Sequence, residues 1–174
     1  MGIEQAVELW QNVIITAIAK KGGKEEDLQL LPGVDEQAWD PLAENMKLEI
    51  PAEIKAFYQV HGGQQDEMGA TPFVRNLTLL SVNAILEQWQ FLNEEVELDE
   101  MEVDNGPGVR PVVWSPAWIP VATNGAGDYL CLDTDPDQGG TYGQVLYYWH
   151  DWEDRCVEAE SWFAFIELCL AEED

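Results

Sequence analysis

Trp118–Ile119–Pro120–Val121–Ala122–Thr123–Asn124–Gly125–Ala126–Gly127–Asp128–Tyr129–Leu130–Cys131–Leu132–Asp133 holds two apolar runs on either side of a glycine-rich break. Trp118–Val121 reads as a short strand. Tyr129–Leu132 is a compact apolar run, bounded by Gly127–Asp128 and by the polar turn residues of Asp133–Gly140. A third run, Gln144–Trp149, is rich in β-formers. Upstream, Val112–Trp114 suggests a further short strand, separated from Trp118 by Ser115–Pro116. Strands divided by tight turns point to an antiparallel sheet.

Outward from this centre the period changes. Ile3, Val7, Trp10, Ile14 and Ile18 recur at three-to-four spacing and predict an amphipathic helix over 3–20 that ends at Gly22–Gly23. The acidic patch Glu25–Asp27 follows. Asp35 is an expected N-cap for a helix through Met46, which Pro41 interrupts or kinks. Ile50–Pro51 starts the next helix, because proline suits a first turn. Ile54, Phe57 and Tyr58 form its apolar face, His61–Gly63 stops it, and Gln64–Gly69 reads as a polar loop. Pro72–Leu80 is strand-like. Ser81 caps a helix with Val82, Ile85, Trp89 and Leu92 on one face, and Ser161 caps a last helix. Helices, then strands, then a closing helix give an α+β fold: a central antiparallel sheet flanked by N-terminal helices and a C-terminal helix. No internal repeat is evident.

Charge sets the second boundary. Thirty-four acids face eight bases over 174 residues, a net of −26. All five lysines lie within the first 55 residues, where 11 acids leave a net of −6. Only Arg75, Arg110 and Arg155 answer the remaining 23 acids. Such a surface repels nucleic acid and anionic membrane and attracts cationic partners. With 46% hydrophobic residues and eight tryptophans, the chain is no acidic disordered tail. Cys131, Cys156 and Cys169 have no metal-like spacing and read as buried free thiols in a reducing compartment. The first residues lack a basic lead and carry Glu4 and Glu8, unlike a signal peptide or a span. A cytoplasmic protein is expected.

The Trp118–Asp133 stretch resembles the signature segment of the SUKH superfamily, which includes the yeast cell-wall assembly regulator and many bacterial proteins similar to it. Other pieces of the resemblance fall in order: Leu31–Pro32–Gly33, Ile50–Pro51, Phe57–Tyr58, Gly62–Gly63, Trp89, Gly143–Gln144–Val145, His150–Asp151, Arg155 and Ser161–Trp162. Together they cover roughly residues 30–170. The resemblance implies one SUKH-like domain over 1–174, with 1–30 as an N-terminal helix and lead-in and 94–110 as an acidic insertion or loop. It also implies binding rather than catalysis. Bacterial members are mostly regarded as immunity proteins that neutralise toxins, often nucleases, whereas the yeast relative is a regulatory interaction protein.

The remaining motifs have ordinary structural roles as alternatives. Asp133–Gly139 resembles the opening of a calcium loop, but Gln138 holds the sixth position and Gln144 the twelfth, so a polar turn is expected. His61 reads as a helix-end residue and His150 as the end of a strand. No HExxH, G-x-S-x-G or phosphate-loop pattern is present, so neither a metal, a cofactor nor an enzyme is expected. Trp10, Trp89 and Trp162 belong to apolar helix faces. Of Trp114, Trp118, Trp149 and Trp152, one or two are candidate exposed anchors. The segment from Glu94 to Asp104 interleaves Val96, Leu98, Met101 and Val103 with acids, and reads either as a docking surface or as a solvated loop that keeps the protein soluble.

The expected function is therefore an immunity-type protein that occludes a basic, nucleic-acid-targeting toxin. The alternative is an intracellular regulatory scaffold like the yeast regulator. The partner-binding residues expected are Glu94, Glu95, Glu97, Asp99, Glu100, Glu102 and Asp104, with Asp133, Asp135 and Asp137 as a second acidic edge.

Overall fold

The ten residues of two neighbouring strands, β3 (Tyr129–Asp133) and β4 (Gln144–Tyr148), are all buried. That is the mark of strands covered on both faces, and it explains why they read as continuous runs rather than alternating ones. The computed structural model describes residues 2–21, 23–65, 70–95, 105–149 and 155–172. Within them, β1 (Thr78–Leu79), β2 (Trp118–Thr123), β3, β4 and β5 (Val157–Ala159) form one antiparallel sheet in chain order. The helices are α1 (Gly2–Lys21), α2 (Asp40–Met46), α3 (Ala52–Val60), α4 (Val82–Glu95) and α5 (Trp162–Glu172). This is the expected α+β architecture.

Register sorts the side chains onto two faces. Ile119, Leu130, Leu132, Val145 and Tyr147 face the larger core, which Trp10, Phe57, Trp162 and Ile166 complete. Trp118, Tyr129, Cys131, Leu146 and Tyr148 face a smaller cluster closed by Leu92, Val109 and Trp114. A bulge between Pro120 and Ala122 shifts the register of β2 against β3. A proline inside a central strand is tolerated at such a break in the ladder.

Local signals behave as their chemistry requires. Asp35 Oδ1 accepts from Ala38 N at 3.2 Å, Ser81 Oγ from Ala84 N at 3.1 Å and Ser161 Oγ from Ala164 N at 3.2 Å. Pro41 does not kink a helix. A 3-10 turn over Glu36–Trp39 precedes α2, and Pro41 sits in the first turn of α2. The acidic patch forms a further 3-10 turn, Glu25–Leu28, closed by Asp27 Oδ2 on Lys24 N at 2.9 Å.

Other expectations are corrected. The buried stripe of α1 is Ala6, Leu9, Trp10, Val13 and Ala17, while Ile3 and Val7 are exposed. Small residues on that stripe let α1 settle closely on α3, with Trp10 stacked on Phe57 at 4.3 Å and its Nε1–H donating to Phe57 O at 2.8 Å. Pro72–Leu80 contributes only the two residues of β1, because Arg75 adopts φ 49° in a turn that bridges Val74 to Leu77. The Arg75 guanidinium then ties three elements together. It holds Glu172 through two bonds of 3.1 and 2.9 Å, Glu158 at 3.2 Å and Tyr147 Oη at 2.9 Å. Val112–Trp114 bends without forming a strand, and Val157–Ala159 forms one that the sequence did not suggest. Cys156 is exposed, unlike Cys131 and Cys169.

Gln64, expected in a polar loop, is only 2% exposed. It covers the outer edge of β1: its N–H donates to Leu79 O at 2.9 Å and its Oε1 accepts from Leu79 N at 2.8 Å. Its Nε2 donates to Leu28 O at 2.7 Å and Thr71 O at 2.6 Å. One residue, through its backbone N–H and its side-chain amide, thus closes an edge that would otherwise offer unpaired ladder groups.

Candidate functional site

One irregular segment, 105–117, links the two acidic regions expected from the sequence. Asn105 shapes it from within: its Nδ2 donates to Arg110 O at 2.6 Å and Val112 O at 2.9 Å. The Asn105 Oδ1 accepts from Arg155 N at 2.7 Å, and Gly106 N donates to Arg155 O at 2.8 Å, so the segment is fastened to the residues leading into β5. Arg155 is 1% exposed, lies 4.5 Å over the Tyr148 ring and donates through Nε to Val113 O at 3.1 Å. Val109 and Trp114 plug the smaller apolar cluster.

On one side the segment grips α4. Trp114 Nε1–H donates to Asn93 Oδ1 and Trp89 Nε1–H to Pro116 O, both at 2.8 Å. On the other side it grips the β3–β4 turn. Gly108 O accepts from Asp137 N at 3.0 Å and from Gln144 Nε2 at 2.9 Å. Gly108 has φ +83°, and a Cβ there would lie 2.8 Å from Gly140 Cα. Only glycine permits both the backbone angle and the approach.

The acidic residues take different places on this frame. Glu94 and Glu95 are exposed at the C-terminal end of α4, whose last turn carries no base. Carboxylates there oppose the helix dipole. Asp135 and Asp137 are exposed in the β3–β4 turn, and Asp135 Oδ1 pairs with Arg110 Nη2 at 2.9 Å. Asp133 is a correction: it is fully buried and is no part of an exposed acidic edge. It ends β3 with its side chain on the smaller-cluster face, where Oδ1 accepts from Asp135 N at 2.9 Å and Oδ2 from Gln144 Nε2 at 3.0 Å. Burial pushes its carboxyl above the ordinary aspartate range, and those two bonds pull in the opposite direction. Glu97, Asp99, Glu100, Glu102 and Asp104 lie outside the described residues.

With Asp133 turned inward and Asp135 engaged by Arg110, Asp133–Gly139 serves as a turn. Among the described residues no group of three or more His, Cys, Asp or Glu side chains is placed to hold a metal ion. Trp114 and Trp118 are buried, so neither is an exposed anchor. Trp149 is 37% exposed and stacks on Tyr147 at 4.3 Å. Trp152 and His150 lie outside the described residues, while His61 caps α3 and its Nδ1 lies 3.2 Å from Leu31 O. The bracing roles of Asn105, Arg110 and Gln144 were missed. The one signal in the sequence is the Asn105–Gly106–Pro107–Gly108 run, whose residues mark a loop but not what the loop holds. No helix among the described residues is long and apolar enough to cross a membrane.

Comparison with known proteins meets this frame along most of its length. The model of the SMI1 / KNR4 family (SUKH-1) matches residues 33–168, from before α2 into α5. The cell wall assembly regulator SMI1 of Saccharomyces cerevisiae is 26% identical over 160 residues, covering 71% of this chain and 32% of that protein. The cell wall biosynthesis/cell cycle regulator smi1 of Schizosaccharomyces pombe is 24% identical over 155 residues, covering 80% and 31%. A glucan synthesis regulatory protein of Neurospora crassa is 22% identical over 156 residues, covering 68% and 29%. The chain therefore spans about a third of the length of these relatives. From the sheet and its flanking helices to the span of the match, the chain belongs to the SMI1 / KNR4 family (SUKH-1).

Proposed function

We propose that the chain is a regulatory protein-interaction module that docks a cationic partner protein through the acidic surface at the end of α4 and the β3–β4 turn. The observation that carries this reading is the placement of exposed Glu94 and Glu95, at a helix end with no base in its last turn, and exposed Asp137 at the two ends of one bracing segment, whose Arg110 already engages Asp135. Carboxylates left in solvent on a rigid frame steer an oppositely charged partner and set its register. The regulatory sense comes from the relatives, whose descriptions are those of regulators.

A second reading, neutralisation of a toxin that handles nucleic acid, draws its support from the net charge of −26. Such an enzyme presents a cationic groove that an acidic surface can occlude. The two readings part on the partner's activity. The immobilised chain is used to capture proteins at low salt, and each captured protein is then purified for kinetics. Association should slow steeply as salt rises, and Glu94→Lys with Glu95→Lys should slow it by about tenfold. An association rate indifferent to both salt and charge reversal sinks the steering mechanism. Inhibition of a captured nuclease selects the toxin reading; several partners without enzymatic inhibition select the regulatory one.

A further inference from the structure

The chain contains two Asn–Gly steps, Asn105–Gly106 and Asn124–Gly125. Glycine has no Cβ to screen its amide, so its nitrogen can reach the side-chain carbonyl carbon of the asparagine before it. That ring closure is intramolecular, and proximity takes the place of a catalyst. The fold treats the two steps differently. Asn105 is locked from outside its own turn. Its Nδ2 donates to Arg110 O and Val112 O, its Oδ1 accepts from Arg155 N, and Gly106 N donates to Arg155 O at 2.8 Å. Attack by Gly106 N requires it to leave a carbonyl fixed across the fold.

Asn124 sits between β2 and β3, and its bonds stay inside that turn. Oδ1 accepts from Ala126 N at 2.8 Å, and Nδ2 donates to Asp128 Oδ2 at 2.9 Å. Gly125 N donates to Thr123 Oγ1 at 3.1 Å, and that hydroxyl donates in turn to Asp128 O at 2.9 Å. Each reacting atom therefore has a group placed on it. The Ala126 N–H lies where the carbonyl oxygen gains negative charge on attack. The Asp128 carboxylate lies beside the nitrogen that must leave with an added proton. The nucleophile is held by a hydroxyl that can rotate away. Gly125 and Ala126 are exposed, and a Cβ at Gly125 would meet nothing within 4 Å, so water has access.

We propose that Asn124–Gly125 is a self-modifying site, at which the folded chain deamidates through a succinimide. Gly125 N bonds to Asn124 Cγ and gives up its proton. The Cγ–Nδ2 bond breaks, and Nδ2 takes up a proton and leaves as ammonia. Water then adds to either ring carbonyl and breaks that carbon's bond to the Gly125 nitrogen, which regains a proton. The products are an aspartate or isoaspartate carboxylate and a released proton. The amide that bonds Asp128 becomes a carboxylate that repels it, so the turn gains a charge and loses a brace. This inference is independent of partner binding.

For the test, the purified full chain is kept near neutral pH and sampled over weeks. Chymotryptic cleavage after Trp114, Trp118 and Tyr129 places the two asparagines on separate fragments. Fragment mass and retention read the amide, aspartate and isoaspartate forms. Asn124 should convert at least about tenfold faster than Asn105, which reacts only when the frame around it opens. In guanidinium chloride, where both steps are released, the two rates should converge. Gly125→Ala should slow conversion of Asn124 about tenfold, because the added methyl screens the nucleophile, and should leave Asn105 as it was. An Asn124 that keeps its amide in the folded chain overturns the proposal. So does equal conversion of Asn105 and Asn124 in the folded chain, or a Gly125→Ala variant that converts as fast as the wild type.

Discussion

Replacing Gln64 by leucine tests whether one buried amide closes the edge of the sheet. The substitution nearly preserves volume but removes three side-chain bonds, to Leu79 N, Leu28 O and Thr71 O. Leu79 and Leu28 are 1% and 0% exposed, so water cannot replace the amide there. Thr71 is half-buried and recovers part of its hydration. Two desolvated orphans at about 1–3 kcal/mol each give a loss of about 2–6 kcal/mol, against a total stability of about 5–15 kcal/mol for an ordinary domain. Urea unfolding followed by tryptophan fluorescence reads the loss as a lower midpoint. Gln64→Glu refines the test. It keeps an acceptor for Leu79 N but turns the donor to two carbonyls into a second acceptor, which raises the folded-state pKa of the new carboxyl. A raised acid pKa means that protonation favours the folded state, so part of the deficit should return as pH falls from 7 toward 5, relative to the wild type at the same pH. A loss below about 1 kcal/mol for Gln64→Leu, or a Gln64→Glu deficit indifferent to pH, would refute the reasoning.

Two further outcomes follow, one from the bracing segment and one from the buried end of β3. Gly108→Ala places a Cβ 2.8 Å from Gly140 Cα and forces a side chain onto φ +83°. The backbone strain alone costs about 1–2 kcal/mol, visible as a lower melting temperature, and an unchanged one would show that the segment is not held as described. Asp133 has its folded-state pKa raised by burial, so its ionisation is harder in the folded chain than in the unfolded one. Its contribution is greatest at low pH and is lost as pH rises through the folded value; the advantage of wild type over Asp133→Asn should therefore shrink across the window above the ordinary aspartate pKa. A constant difference from pH 3.5 to 7, measured by urea unfolding, would contradict that sign.

What was legible in the sequence was what is settled locally or by complete burial. Tyr129–Leu132 and Gln144–Tyr148 announced themselves because both faces of the sheet are covered, leaving no polar alternation to blur them. Asp35, Ser81 and Ser161 cap helices through bonds that span only three residues. The face of α1 was misjudged because its apolar residues fill an arc wider than its contact with α3 and α5. Periodicity locates that arc but not which part of it docks. The acidic edge split for a related reason. Asp133 and Asp135 are two apart in a row of alternating aspartates, yet the first still belongs to a strand and points inward, while the second has entered the turn. Gln64 and Arg75 act on residues far along the chain, at a distance no local pattern reports. For the candidate site, the acids were visible one by one, but the frame that aligns them depends on Asn105, Gly108 and Gln144 meeting across the fold.

The bracing segment has a consequence for how such a protein can change. Its grip on α4 and on the β3–β4 turn uses indoles, carboxamides and backbone groups, whereas the Glu94 and Glu95 carboxylates make no hydrogen bond or ion pair among the described residues. Lettering and binding of the page are thus separate: the displayed charges can be rewritten one at a time without loosening what holds them. Substitution of either glutamate should therefore be nearly neutral for folding, whereas Asn105, Gly108, Trp114 and Gln144 cannot change without loosening the frame.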